Sequence, residues 1–438
     1  MGIHPISAFL LPLSLVLAGC VSDSTDPEPQ PSPPECRDPD TAGCVVASEK
    51  TRILEPSVPD ADRKELADGN TTFALELYRR LGAEPGNLFC SPHSVSSALA
   101  MTYAGARGET AAQMAGALRF TLPGERLHPA FNALDLALAG RGKGAEGRDG
   151  GGFRLHVANA IWGQVGYSFQ PSFLDVLAQS YGAGLRVVDF VEAPEAARGI
   201  INAWVARRTE DRIRDILPEG AIGPSTRLVL TNAIYFNAAW QFPFKEEQTT
   251  PGDFTLAGGS TVSVPMMAGV AQLRYGEGDG YQALEMPYEG GELSMLLVLP
   301  SALGELEAGL DRARLDGILD SLGERSVAIT LPRFKVESTF DLVPPLSELG
   351  MPIAFRGDAD FSGISGQGGL SITDVIHKAF VSVDEAGTEA AAATAVVIGE
   401  TAAPEPATIR FDRPFLFFIR DHATGAILFV GRVANPSA

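Results

Sequence analysis

Positive charge is in short supply: 34 Lys and Arg face 54 Asp and Glu, a formal net charge of −20 over 438 residues. So acidic a chain repels phosphate backbones, and no local basic patch stands out to override that field, so nucleic acid is not an expected partner. Cysteine is scarcer still. The four residues form no Cys-x-x-Cys pair and show no Cys/His spacing of a zinc site, so neither metal nor cofactor is expected. Six histidines are scattered without partners at motif spacing, and Gly-x-Ser-x-Gly, His-Glu-x-x-His and Walker-type loops are all missing. The glycine-rich stretch from Arg141 to Gly152 lacks phosphate-loop spacing and reads as a solvated loop. An enzyme has little to stand on. The apolar run from Ile6 to Leu17 is too short to span a membrane, which needs about 20 residues.

That run ends in Leu17-Ala18-Gly19-Cys20, which resembles a bacterial lipobox. The resemblance implies a signal peptide over residues 1–19 and lipidation of Cys20. The body would then be anchored to a membrane in the cell envelope, or lie outside the cell. One feature departs from the pattern: only His4, and no Lys or Arg, precedes the run. Residues 20–62 are rich in Pro, Asp, Glu, Ser and Thr, with too few apolar groups to offset ordering entropy, and read as a disordered tether. Disulfides persist outside the cytoplasm. With Cys20 assigned to lipid, Cys36 and Cys44 lie close enough to pair. Cys90, beside Phe89, reads as a buried, unreactive thiol.

What is plentiful is apolar residues, 45% of the chain, enough for a full core. Folding is expected to start near Arg63. Helical spacing covers 66–81, 92–106, 110–119, 128–139, 172–180 and 194–211. Strand-like runs occupy 153–162 and 185–190, then 227–237, 261–265, 281–287, 293–300, 326–336, 370–384, 408–419 and 426–433. Early helices and later strands, without regular alternation, predict an α+β fold in one domain over 63–438.

Several segments resemble the serpin family, in the family's order. They are Asn87 to Met101 (with Ser91-Pro92-His93-Ser94), Ile201 to Val205, Thr231-Asn232-Ala233-Ile234-Tyr235-Phe236 running to Trp240, Val375 to Ala379, Asp384 to Ala390, and Phe411 to Ile419. The resemblance implies eight to nine helices packed on three β-sheets, with an exposed reactive-centre loop at about 385–407. It also implies a monomer that traps serine proteases, and possibly cysteine proteases, as a suicide substrate. The cleaved loop would insert into the main sheet and carry the acyl-enzyme with it.

The residues themselves are compatible with that motion. At period two, Thr388, Ala390, Ala392, Thr394, Val396 and Ile398 form one uncharged face, while the other carries a single charge, Glu389. By family position, Glu385, Gly387, Thr388, Glu389, Ala390, Ala391, Ala392 and Ala393 form the hinge. Ser91, Ser94, Asn232 and His377 form a polar latch under the sheet. Trp240 and Arg333 support its top, with Arg333 placed to pair with Glu385. Counting forward from the hinge puts the scissile bond at Thr401–Ala402, whereas counting back from Phe411 gives Ala403–Pro404, where proline opposes cleavage. Small residues here suit an elastase-like or subtilisin-like target, and Glu400 leaves a Glu-specific protease open. The rival reading is a non-inhibitory serpin fold acting as a binding protein, chaperone or decoy substrate. Its mark is bulky, charged or proline residues in the hinge, and Gly387 to Ala395 has none beyond Glu389.

Overall fold

The computed structural model describes residues 1–2, 44–145, 153–366, 368–388 and 405–437. Nine α-helices occur among them: α1 (Asp60–Leu81), α2 (Pro92–Tyr103), α3 (Gly108–Leu118), α4 (Gly124–Ala139), α5 (Pro171–Val176), α6 (Pro194–Arg208), α7 (Leu303–Ala308), α8 (Arg312–Asp320) and α9 (Val343–Glu348). The first eight strands are β1 (Cys44–Val46), β2 (Leu88–Cys90), β3 (Arg154–Gln164), β4 (Leu185–Val188), β5 (Leu228–Ala239), β6 (Thr250–Thr255), β7 (Thr261–Gly278) and β8 (Tyr281–Pro287). The others are β9 (Leu293–Pro300), β10 (Gly323–Pro332), β11 (Phe334–Asp341), β12 (Asp374–Val383), β13 (Gly387–Thr388), β14 (Ala407–Arg410), β15 (Phe415–Asp421) and β16 (Ile427–Val433).

The α+β class holds, with one correction: where three sheets are expected, the described strands join into two. One has seven strands in the order β1-β4-β3-β5-β13-β12-β11. The other has nine, β14-β10-β7-β8-β9-β15-β16-β2, with β6 beside β7. The 18-residue β7 pairs at different points with β6, β10 and β8, which merges what two shorter strands would separate.

Local sequence accounts for the elements around the seam. All twelve residues of β5 are buried, as in a strand covered on both faces. At the start of α2, Ser91 Oγ accepts from Ser94 N–H at 3.2 Å and Pro92 occupies the first turn, where its missing N–H is not needed. The single strand expected over 326–336 is two. Pro332 ends β10 in the second sheet and β11 begins at Phe334 in the first, so Arg333 sits at the crossing. The run expected over 408–419 likewise divides into β14 and β15, on either side of 411–414. Periodicity also missed α7, α8 and α9, which at six to nine residues are too short for a helical repeat to register.

The tether expected over 20–62 is too long. From Cys44 the chain belongs to the folded body: β1 adds to β4 in antiparallel register, Ile53 N–H donates to Gln179 O at 3.0 Å, and Arg52 binds Asn132 and Asp135 of α4. The apolar triplet Cys44-Val45-Val46 is too short to register beside the Pro-rich stretch before it, yet it pairs with an open sheet edge and buries Val46 in the core. Cys44 is disulfide-bonded. Its expected partner Cys36, the signal peptide and Cys20 lie outside the described residues. Cys90 is fully buried, and burial pushes its thiol pKa far up. No helix among the described residues is long and apolar enough to cross a membrane.

Candidate functional site at the seam of the main sheet

β5 and β12 run parallel and pair over seven positions, from Asp374 opposite Val229 to Phe380 opposite Tyr235. Above Tyr235 they part. The chain leaves β12, turns through Asp384, Glu385 and Ala386, and comes back between the two strands as β13. Gly387 faces Ala239, and Thr388 faces both Ala238 on β5 and Val383 on β12. The exposed loop expected over 385–407 therefore starts later, because Glu385 to Thr388 are buried in the sheet. Its far end also returns early, since Ala407 opens β14.

Each of the described hinge residues, Glu385, Gly387 and Thr388, has a specific hold. Gly387 has φ +153°, and a Cβ there would lie 2.3 Å from Ala238 O, so a side chain is sterically barred. The Thr388 hydroxyl is 2.9 Å from the hydroxyl of Tyr288, whose ring stacks on Trp240 with centroids 4.6 Å apart. Trp240 in turn grips the turn, donating Nε1–H to Asp384 O at 3.0 Å and its backbone N–H to Ala386 O at 2.8 Å. Arg333 closes on Glu385, with Nη2 and Nε 2.7 and 2.8 Å from Oε1, and Thr249 Oγ1 donates to the same oxygen. Burial alone would raise the Glu385 pKa. The hydrogen bonds from Arg333 and Thr249 outweigh it and hold the carboxyl below its usual range.

Lower in the seam, the four latch residues meet. Asn232 on β5 lies opposite His377 on β12. Ser91 N–H donates to His377 Nε2 at 3.0 Å, which leaves the ring proton on Nδ1, directed at Asn232 Oδ1. Asn232 Nδ2 donates to Ser94 Oγ at 2.6 Å, and Ser91 Oγ donates to Leu428 O at 2.7 Å. Burial lowers the His377 pKa to about 4, so the imidazole is neutral. With both ring nitrogens hydrogen-bonded, the neutral imidazole ties β12 to β5 and to the start of α2.

Reasoning from sequence missed three members of the site, of which Thr249 beside Glu385 is one. Asn159 on β3 lies opposite Asn232, and its Oδ1 accepts from Asn232 Nδ2 and Ser94 Oγ at 2.5 and 2.9 Å. A polar residue in phase with Leu155 and Ile161 was the available signal. Tyr288 carried none, since its role depends on Trp240 from a distant strand. The remaining hinge residues, Glu389 and Ala390 to Ala393, lie outside the described residues, as do Glu400, Thr401, Ala402 and Ala403. Among the described residues no acidic, His or Cys cluster has metal-binding geometry.

Known proteins match the chain as a whole. A family model described as serpin (serine protease inhibitor) matches residues 68–436. An uncharacterized serpin-like protein of Thermococcus kodakarensis is 38% identical, over 97% of this chain and 97% of its own length. The leukocyte elastase inhibitor of Bos taurus is 40% identical, over 85% of this chain and all of its own. Among solved structures, the native state of the thermophilic serpin tengpin superposes with TM-score 0.76 at 30% identity, covering 89% of this chain and 97% of tengpin. Uncleaved ovalbumin gives 0.75 at 28%, covering 85% of this chain and all of ovalbumin.

Proposed function

The chain belongs to the serpin family, and we propose that it inhibits serine proteases as a suicide substrate, cleaved at Thr401–Ala402. The protease serine oxygen attacks the Thr401 carbonyl carbon and the amide C–N bond breaks. The proton passes to the new amino group of Ala402, leaving an ester between the protease and Thr401. The freed hinge side then enters the main sheet between β5 and β12.

One observation carries this reading: β13 already occupies the top of that gap, with the Thr388 side chain buried. Its register extends by arithmetic. Thr388 faces Ala238 and Val383, so Thr394, six residues on, would face Asn232 and His377. By the same parity, the uncharged face 388-390-392-394-396-398 enters the core and Glu389 stays outward. Insertion separates the seven β5–β12 pairs and breaks the Asn232–His377 bond. The Thr394 hydroxyl arrives where that bond was. The native sheet is then a kinetically held state with one strand still to gain.

Small residues at 401–403, together with the likeness to leukocyte elastase inhibitors, support an elastase-like or subtilisin-like target. Lipidation at Cys20, with the residues before Cys44 as a tether, would hold the inhibitor at a membrane surface.

The test is incubation with an elastase-like and a subtilisin-like protease. The expected result is a complex that survives denaturing electrophoresis, with a released peptide beginning at Ala402. Cleavage without a stable complex would leave only a decoy substrate and end the inhibitory reading.

A further inference from the structure

The long strand β7 changes partners along its length. Residues 261–266 pair with β6 and 274–278 with β8, while β10 follows the opposite edge from Met266 to Tyr275 in unbroken register. Between β6 and β8, residues 267–273 have no strand on that edge among the described residues. The cause is local on both sides. Continuing the β8 register would set Pro287 opposite Gln272, but proline has no N–H to give, and its carbonyl already accepts from Gln241 N–H at 3.0 Å. Before Thr250, where β6 begins, the chain turns away through 246–248.

The register also fixes where the peptide groups point. Arg333 N–H donates to Pro265 O from the β10 side at 2.9 Å, and Pro265 faces Pro251 of β6, a pair with no N–H to exchange. In an antiparallel ladder, successive residues turn their N–H and C=O to opposite edges. Odd-numbered residues of β7 thus serve β10, and Ala268, Val270 and Gln272 direct N–H and C=O into the gap. No group among the described residues takes these up.

Beside this open edge lies a cavity of about 350 Å³ walled by Phe242, Phe244, Leu273, Met286 and Ile329. The Phe244 ring lies against Gly269, where a Cβ would come within 3.3 Å of it. None of the twelve lining residues is charged, in a chain that is 20% charged. Phe242 and Val270, at 38% and 66%, are two of only seven large apolar side chains exposed among the described residues.

We propose that the gap accepts an extended, uncharged, apolar segment of a partner protein, added as a strand beside β7. Donors and acceptors that recur at every second residue match another main chain, whereas a compact ligand satisfies those of one residue. The neutral lining offers a charged segment no counter-ion and so selects against it.

The full folded protein is titrated with the blocked peptide acetyl-Thr-Val-Thr-Val-Thr-Val-Thr-amide, followed by calorimetry and amide hydrogen exchange. Saturation with a Kd of about 100 μM or tighter is expected, with exchange slowed at residues 268, 270 and 272. Two further peptides carry N-methyl groups, one on its valines and the other on its internal threonines. An added strand shows β7 the N–H groups of alternate residues only, so one peptide should bind as before and the other not at all. Val270→Pro removes a gap-facing N–H without touching the β10 ladder and should weaken binding about fivefold. Phe242→Ser leaves every ladder intact and should weaken it about tenfold; it decides the case if Val270→Pro disturbs the strand. No saturation up to about 1 mM, equal behaviour of the two methylated peptides, protection outside 267–273, or unchanged affinity in Phe242→Ser would each overturn the assignment.

Discussion

The hydroxyl of Thr388 lies 2.9 Å from that of Tyr288, and both residues are buried beneath the top of the main sheet. The first hinge side chain after Gly387 is thus already packed as a strand residue. Thr388→Arg would force an unpaired guanidinium into that pocket, at a cost of several kcal/mol. Insertion should slow until hydrolysis wins. The expected outcome is a variant that is cut at the same bond but forms little or no denaturant-resistant complex with the target protease. Complex formation equal to the parent's would contradict the placement of Thr388.

Thr394 should matter only after cleavage. If the β13 register continues on insertion, it would face Asn232 and His377 and hydrogen-bond there. Thr394→Val should leave the melting temperature of the uncleaved protein unchanged and destabilise the cleaved form by about 1–2 kcal/mol. Guanidinium unfolding of both forms reads the difference.

Arg333→Ala removes the counter-charge of a carboxylate that is only 5% exposed. The native hinge turn should lose about 1–3 kcal/mol, because a buried acceptor keeps its desolvation penalty without its strongest donor. The breach at the top of the sheet would then open more readily. Faster loss of inhibitory activity on incubation at elevated temperature is expected, and an unchanged half-life would show that the pair does not gate the sheet.

Acid should weaken the latch. The His377 pKa falls from 6.5 to about 4 on folding, so the unfolded chain binds its proton first as pH drops. Its contribution is intact above pH 6.5 and is lost between 6.5 and 4, by about 3 kcal/mol at most. His128, also lowered to about 4 by burial, acts in the same window. His377→Gln keeps a donor and an acceptor but cannot take up the proton. Urea midpoints measured from pH 7.5 to 4 should therefore fall less steeply in this variant than in the parent.

Asp374, at the foot of the same seam, works in the opposite direction. Burial first, and then the charge of Asp341, raises its pKa from 3.8 to about 6, and its Oδ2 has no hydrogen-bond partner. The ionised form is therefore unfavourable in the fold above pH 6, and the penalty is relieved as pH falls from 6 towards 3.8. Asp374→Asn should stabilise the protein by about 1–2 kcal/mol at pH 7.5, a range already reduced for partial solvent screening. The gain should vanish near pH 4, and equal stabilisation at both pH values would count against the shifted carboxyl.

Short-range features were legible without coordinates. The Ser91–Pro92 helix start and the apolar run of β5 are written in consecutive residues, and so is the alternation of 388–398. Each depends only on neighbours a few positions away. Other features needed the folded chain. The edge strand at Cys44–Val46 depends on an open edge offered by Leu185–Val187, and Asn159 joins the latch only through its register with Asn232. Arg333 meets Glu385 across 52 positions because β10 crosses into β11 between the two sheets. Which face of the hinge turns inward was decided by the packing of Thr388 against Tyr288, a contact spanning 100 positions. Local chemistry sets what a segment is able to become, whereas partners far apart in sequence are chosen only when the sheet closes and brings their backbones into register.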